Sequence, residues 1–386
     1  MMTVGFLSIN SKSLSYAISL DKVGHKCLFY DENDSLVFEL LNKYIPYTEN
    51  DINLELLNSK SISASTEVTE VIKNSETLFC FVDCPSNTDN TIDISDIFRV
   101  IQYFYLSSHL EIPLFGKNFI ISTVWNPYDY KIIYEKVSQF GMNLAYMPNF
   151  ITEGNSLRSL IESEYHVIGT NSTDLSNQIT NLLRQIKQSN SEILIMSPES
   201  AELVKLGISS IVANKIVTAN LIGDLMTSMG MEKEIPLVLN SISKDKRIGK
   251  QNLNYGLSFG GPNLGKELRA FSEFIKTKKV EINIFDNINR ANDEHVVFLK
   301  YYYMTLNPNK NVPFNLDSIT YKKGVNSVED SQRLKLCLEL LNEGYCVNVL
   351  ENEFVSTNFL KLAESYENKL KFFRKGSQPE GVNIKV

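Results

Sequence analysis

Two groups of residues in this 386-residue chain have types and spacings suited to chemistry. The first holds thiols. Cys27, Cys80, Cys84, Cys337 and Cys346 are spread along the chain, and only Cys80 and Cys84 lie close, four apart. A zinc site needs a second pair of ligands, and the four histidines are scattered elsewhere. No metal site is expected, and the pair reads as strand packing. The odd count and apolar neighbours fit reduced thiols in a reducing compartment. The second group is polar. Lys205 and Ser209 stand at i and i+4 and share a helix face. Tyr255 to Asn263 is a glycine-rich loop, a composition that lets backbone approach a ligand closely. It ends in Asn263, whose carboxamide exchanges hydrogen bonds but offers no anion near neutral pH.

The elements that must position these residues follow from periodicity. Val4–Leu7 reads as a buried strand, Leu14–Leu20 as a helix, and Cys27–Tyr30 as a second strand ending at Asp31. Further strands are expected at Leu78–Val82, Phe119–Ser122 and His166–Gly169, with helical patterns between them. This alternation predicts a mostly parallel, Rossmann-like sheet over residues 1–196, whose opening βαβ unit is where such folds bind dinucleotides. From Ser200 to Met229, apolar residues recur at helical spacing without a proline, predicting one long helix in a central region, 197–310. A helix of that length bridges lobes or pairs with a copy of itself. Helices are also expected at Ile235–Ser243 and Gly265–Lys276. A smaller Rossmann-like lobe, 311–386, is expected from a strand at Asp317–Tyr321, a helix at Ser331–Asn342 and a strand at Tyr345–Leu350, with little after it.

Composition excludes several classes. A formal net charge of -7 without a Lys/Arg run argues against nucleic-acid binding. No unbroken apolar run approaches the ~18 residues that span a bilayer. Met1 to Leu7 lead straight into a strand pattern with no basic region before them, so no signal peptide is expected and the cytoplasm is the expected location.

Six stretches, in order, resemble the UDP-glucose/GDP-mannose dehydrogenase family. Val82-Asp83-Cys84-Pro85-Ser86-Asn87 is similar to the loop after that family's fourth strand, and Ser122-Thr123-Val124 to the motif near the nicotinamide. Pro148 to Gly154, with Glu153, resembles the substrate loop, and Ala201 to Lys205 the start of the central helix. Phe259 to Glu267 lies where the family has Phe-Gly-Gly-x-Cys-x-Pro-Lys-Asp, and Tyr321-Lys322-Lys323-Gly324 resembles the opening of its C-terminal lobe. The resemblance implies NAD-dependent oxidation of the C6 alcohol of a UDP- or GDP-hexose to the uronic acid, in polysaccharide synthesis. It also implies roles for retained residues. Lys205 would stabilise oxyanion charge, Glu153 would order water or act as general base, and Thr123 would position water. Glu267 replaces an aspartate, and Ser209 an asparagine partner of the lysine. Arg247, Gly260, Gly261, Arg290 (in an Asn289-Arg290 turn) and Lys322 would contact the nucleotide sugar.

Two departures matter more. Where the family has Gly-x-Gly-x-x-Gly, this chain reads Ser8-Ile9-Asn10-Ser11-Lys12-Ser13, so side chains stand where a pyrophosphate would lie. Ser8, Asn10, Ser13, Asp31 at the ribose position, Pro85 and Thr123 are the residues that would meet NAD, and the lost glycines argue against its usual pose. Asn263 replaces the cysteine whose thiolate attacks the aldehyde, gives up a second hydride from the thiohemiacetal and leaves a thioester to hydrolyse. The expectation is a divergent member impaired in the two-step oxidation, kept as a nucleotide-sugar-binding or non-catalytic subunit. It would be a homodimer through the central helix or paired with an active homologue. The alternatives are a cysteine-independent enzyme that transfers one hydride, and an interaction protein without a ligand.

Overall fold

The computed structural model describes residues 2–46, 49–187, 190–308, 310–322, 325, 327–351, 364–366, 369–374, 376–377 and 379–384. Two compact units meet in sequence at Gly207 and Ile208.

The first unit is built on eight strands: β1 (Thr3–Phe6), β2 (Lys26–Tyr30), β3 (Ile62–Ser65), β4 (Thr77–Cys80), β5 (Asn118–Ile121), β6 (Asn143–Tyr146), β7 (Tyr165–Gly169) and β8 (Glu192–Met196). They lie in the order β3-β2-β1-β4-β5-β6-β7-β8. Neighbours are parallel except β6 and β7, which meet antiparallel at Tyr146 and Gly169. Eight helices connect them: α1 (Ser11–Lys22), α2 (Asp34–Leu41), α3 (Asn50–Leu57), α4 (Val68–Asn74), α5 (Ser95–His109), α6 (Asp129–Val137), α7 (Ser156–Ile161) and α8 (Thr173–Ile186). The order of the first six strands is that of a doubly wound dinucleotide fold, with its switch point between β1 and β4. Central strands are apolar on both faces because helices cover both. Phe6 stacks on Phe29 at 4.8 Å and on Phe79 at 5.6 Å, and Tyr16 of α1 lies against Phe79 and Phe81.

Helix α9 (Pro198–Ser228) begins in the first unit and continues into the second as one helix. The second unit adds α10 (Ile235–Ile242), α11 (Leu264–Thr277), α12 (Phe285–Leu306) and α13 (Gln332–Asn342). Its parallel sheet holds β9 (Phe314–Leu316), β10 (Val347–Glu351), β11 (Leu370–Arg374) and β12 (Val382–Asn383) in the order β11-β10-β9-β12. Phe314, Leu336, Leu340, Val347 and Val349 form its core with Val296 and Leu299 of α12.

Several expectations need correction. The strand expected at Asp317–Tyr321 is instead Phe314–Leu316, because the apolar Phe-Asn-Leu stretch pairs with β10 and the chain then bends away. The last lobe is not followed by little else, since β11 and β12 complete its sheet. Asn289-Arg290 forms no turn and lies inside α12. By length and composition α9 is apolar enough to cross a membrane, which a search for unbroken apolar runs does not register. Its Ala201, Leu206, Ala213, Ala219 and Met226 are buried within the folded units, while Leu203, Ile211, Leu221 and Leu225 are exposed.

Candidate functional site

In the first unit, the loop from β1 to α1 is closed by its own side chains. Asn10 caps α1: its Oδ1 accepts the N–H groups of Lys12 at 3.1 Å and Ser13 at 3.0 Å, while its own N–H donates to Ser13 Oγ at 3.0 Å. Asn10 Nδ2 donates to the Phe81 carbonyl at 2.9 Å and to Ser8 Oγ at 3.4 Å. The N–H of Ile9 donates to one oxygen of Asp31 at 3.0 Å, and the N–H of Asn33 donates to the other at 3.0 Å. N–H groups at a helix start are what an anion would seek. In the loop as folded, the Asn10 side chain already holds those of Lys12 and Ser13, the Asp31 side chain holds that of Ile9 ahead of the helix, and Lys12 lies 3.8 Å from Asp83. Pro85 is exposed, with its carbonyl accepting the Asp93 N–H at 2.8 Å.

Thr123 is half-buried just after β5, between two fixed neighbours. Ser122 Oγ donates to the Met147 carbonyl at 2.7 Å, and buried Trp125 stacks on Tyr146 at 4.6 Å. Glu153 sits in a turn that Glu49 holds from afar. The buried Glu49 carboxylate accepts the Gly154 N–H at 2.7 Å, the Ser156 N–H at 3.0 Å and the Ser156 hydroxyl at 2.6 Å. The Lys205 ammonium lies 5.3 Å from the centre of the Phe150 ring, three residues before Glu153, a cation–π distance.

A buried acidic pair lies between α6 and the start of α9. Glu202, 1% exposed, accepts the N–H groups of Tyr128 at 2.8 Å and Tyr130 at 3.0 Å. Burial pushes its carboxyl up to about 7 against the pull of those two donors, and Asp129 and Glu199 add repulsion. Burial likewise pushes Asp129 up to about 6, opposed by its hydrogen bonds from Asn126.

In the second unit, Asn263 is the N-cap residue of α11 and is half-buried. One turn on, Glu267 is fully buried and accepts a short hydrogen bond from Ser209 Oγ of α9. The close approach permitted by the loop glycines is to the protein itself. A Cβ on Gly260 would stand 2.2 Å from the Asp330 carbonyl oxygen, and one on Gly261, whose φ is +89°, 2.6 Å from the Tyr321 ring. The Gly261 N–H donates to the Glu329 carbonyl at 3.1 Å. Lys322 is half-buried beside this segment in sequence, while Lys323 and Gly324 lie outside the described residues. Arg247 and Arg290 are not gathered with these groups. Arg247 is exposed and makes a two-pronged pair with Asp245, at 3.0 and 2.6 Å, and Arg290 faces Glu294 at 3.7 Å on the outside of α12.

Cys27, Cys80, Cys84 and Cys337 are buried and Cys346 is exposed. Burial pushes the thiols of Cys80 and Cys337 up to about 12 and that of Cys27 upward as well, so none of these three supplies a thiolate. Among the described residues, no group of three or more His, Cys, Asp and Glu could hold a metal ion. A cavity of about 690 Å³ in the second unit is walled by α10 and α12, with Tyr255, Tyr302, Lys250 and Glu232 in its lining; none of the expected site residues lines it.

Sequence reasoning missed Glu49, Glu202 and a buried Asp224–His295 pair with a 2.7 Å contact. Only the scarcity of histidines could have drawn attention to His295.

Comparison with known proteins places these features. Residues 13–187 match the NAD binding domain of the UDP-glucose/GDP-mannose dehydrogenase family, and residues 199–294 its central domain. The first match starts at Ser13, so Ser8 to Lys12 precede it. The UDP-glucose 6-dehydrogenase of Rickettsia bellii (strain RML369-C) is 24% identical over 355 residues, covering 91% of this chain and 81% of that protein. Among solved structures, a UDP-glucose dehydrogenase from Pyrobaculum islandicum superposes with a TM-score of 0.86 at 20% identity, covering 97% of this chain and 86% of that one. A UDP-D-ManNAc dehydrogenase from Pyrococcus horikoshii gives 0.79 at 16% identity, covering 99% of each chain.

Proposed function

We infer the function from one premise, that this chain belongs to the UDP-glucose/GDP-mannose dehydrogenase family: it binds a nucleotide sugar and is impaired in the two-step oxidation to the uronic acid. The observation that carries this reading is the carboxamide of Asn263 at the N-cap of α11, where the family motif has its cysteine. A helix N-terminus lowers the pKa of a thiol and favours its anion, but an amide has no proton to lose there. Without a covalent thiohemiacetal the second hydride has no route of the family's kind. The self-capped loop at Asn10 supports the same reading, because NAD would have to displace Asn10 from α1 before it met the helix N-terminus.

A UDP- or GDP-hexose is the ligand class we assign. The names of the relatives point to UDP-sugars, and Gly260, Gly261 and Lys322 remain where the family motif has its sugar-nucleotide contacts. Arg247 and Arg290 would join them only by leaving their carboxylate partners. Lys205, Thr123 and Glu153 are retained, and they favour a second reading in which one hydride is transferred without a covalent intermediate. Ile211, Leu221, Leu225 and Met229 expose apolar side chains on and just after α9, which supports pairing through this helix with a second copy or an active homologue. The odd number and wide spacing of the cysteines support a reducing, cytoplasmic location.

The test is incubation of the purified protein with NAD and either UDP-glucose or GDP-mannose, with NADH followed by absorbance and the sugar product by mass spectrometry. Binding without NADH is expected. One NADH per sugar with an aldehyde product would favour the second reading, and two NADH with a uronic acid would overturn both.

A further inference from the structure

The glycine-rich loop is anchored at three places. At its start, Tyr255 OH donates to one oxygen of Asp224 at 2.9 Å, and His295 Nδ1 faces the other at 2.7 Å. His295 Nε2 faces the Gly256 carbonyl oxygen, also at 2.7 Å, and the Gly256 N–H donates to Asn220 Oδ1 at 3.1 Å. One turn earlier on α12, Asn292 brackets Phe259: its Oδ1 accepts the Phe259 N–H at 2.9 Å and its Nδ2 donates to the Phe259 carbonyl at 3.0 Å. Ser258 Oγ donates to the Asn292 carbonyl at 2.5 Å. The third anchor is the Gly261–Glu329 bond.

Both nitrogens of His295 face acceptors, a carboxylate oxygen and a carbonyl oxygen. With Asp224 as a carboxylate, the two bonds are made together by a ring that carries a proton on each nitrogen. Asp224 supplies the countercharge, and the 4% exposure of His295 keeps water from competing for either bond. Tyr255 closes the arrangement by standing edge-on to the His295 ring at 5.6 Å. The Tyr255 ring needs Gly223, because a Cβ there would stand 1.9 Å from it.

We propose that His295 is a positioning residue: as an imidazolium held between Asp224 and the Gly256 carbonyl, it sets the backbone of Gly256 to Phe259 in the shape that meets the nucleotide. This rests on the proposed sugar-nucleotide role of the loop. His295 touches no reacting atom and acts through the peptide unit it holds. Glutamine carries both of its N–H donors on one nitrogen, so it does not reach Asp224 and the Gly256 carbonyl from two separate atoms as the imidazole does.

The full-length chain tests this through His295→Gln, Asp224→Asn, the double variant and Tyr255→Phe. Nitrogen NMR of His295 in the wild type should show a proton on both ring nitrogens in the folded protein; a single proton overturns the proposal. In His295→Gln, amide exchange at Gly256 and Phe259 should quicken about tenfold to a hundredfold, the range carried by one charge-assisted hydrogen bond, while α13 amides hold. The double variant should exchange no faster than His295→Gln, and additive effects would overturn the latch. If His295→Gln does not fold, Tyr255→Phe replaces it, with a smaller increase expected at the same amides and no increase overturning the proposal. Calorimetric titration with UDP and GDP separates the two readings. Failure of the wild type to bind either removes the proposed function and leaves exchange and NMR to judge the latch. Wild-type binding that His295→Gln leaves unchanged removes the positioning role alone.

Discussion

Asn10→Gly is the sharpest test of the loop after β1. The Asn10 side chain makes two capping bonds to α1 and one bond to the Phe81 carbonyl. An N-cap is worth ~1 kcal/mol, and a neutral hydrogen bond such as that to Phe81 adds ~1 kcal/mol. A dinucleotide that takes the Lys12 and Ser13 N–H groups must first displace both, at a cost of ~2 kcal/mol, or about thirtyfold in affinity at 1.4 kcal/mol per decade. Glycine removes the obstructing side chain and costs the cap only a few tenths of a kcal/mol relative to asparagine. The variant should therefore bind NAD at least tenfold more tightly by isothermal titration, while losing ~1 kcal/mol of stability through the Phe81 bond. The two changes have opposite signs, so a general loosening cannot mimic them. Wild-type protein that binds NAD as tightly as Asn10→Gly would refute the argument that the cap competes with the pyrophosphate.

Three further outcomes are expected. Glu202 is raised from 4.5 to about 7 in the fold, so its stabilising contribution is full below about 4.5 and is lost as pH rises through about 7. Between those values, urea midpoints of the wild type should fall relative to those of Glu202→Gln, a comparison that cancels the opposite trend from His166, which burial holds down to about 4; parallel curves would discard this account. Gly223→Ala should lower stability by ~1–3 kcal/mol through overpacking against Tyr255, read from the denaturant midpoint. Asn263→Cys should add a second titratable thiol to exposed Cys346 under native conditions and react faster than it, because the start of α11 favours the thiolate; an unchanged Ellman count would displace residue 263 from an accessible cap.

Much of this architecture was legible in the sequence, for physical reasons. Strands buried on both faces read as short apolar runs, which is why β1, β2, β4, β5 and β7 stood out within a residue or two of their ends. Helix α9 was legible because its apolar spacing runs unbroken for eight turns. Helix α12 was not, because Asn292, His295 and Lys300 hold buried positions on it and blur the apolar stripe. Those same polar residues perform its work, two on the glycine-rich loop and Lys300 on Glu339 of α13 and on Glu343 just past its end, at 3.0 and 3.1 Å. Strand β9 was misplaced by a few residues because Asp317–Tyr321 carries β-branched residues but bends where pairing with β10 stops. In the candidate site, the substitutions at Asn10 and Asn263 were plain from residue type. What Asn10 bonds to was not, since the Phe81 carbonyl lies 71 residues away. Arg247 and Arg290 looked available although Asp245 stands two residues before the one and Glu294 four after the other, because α12, which brings the second pair onto one helix face, was not read from the sequence.

The Glu49 contact with the turn at Glu153 bears on the order in which the first unit folds. Its partners Gly154 and Ser156 lie 105 and 107 residues downstream. Closing so long a loop is slow compared with forming local helices. The turn can take its final shape only after β2 through β6 have joined the sheet, so during refolding helical circular dichroism should recover before the Gly154 amide becomes protected. A late-setting clasp of this kind leaves the segment around Glu153 among the last parts of the unit to escape proteolysis.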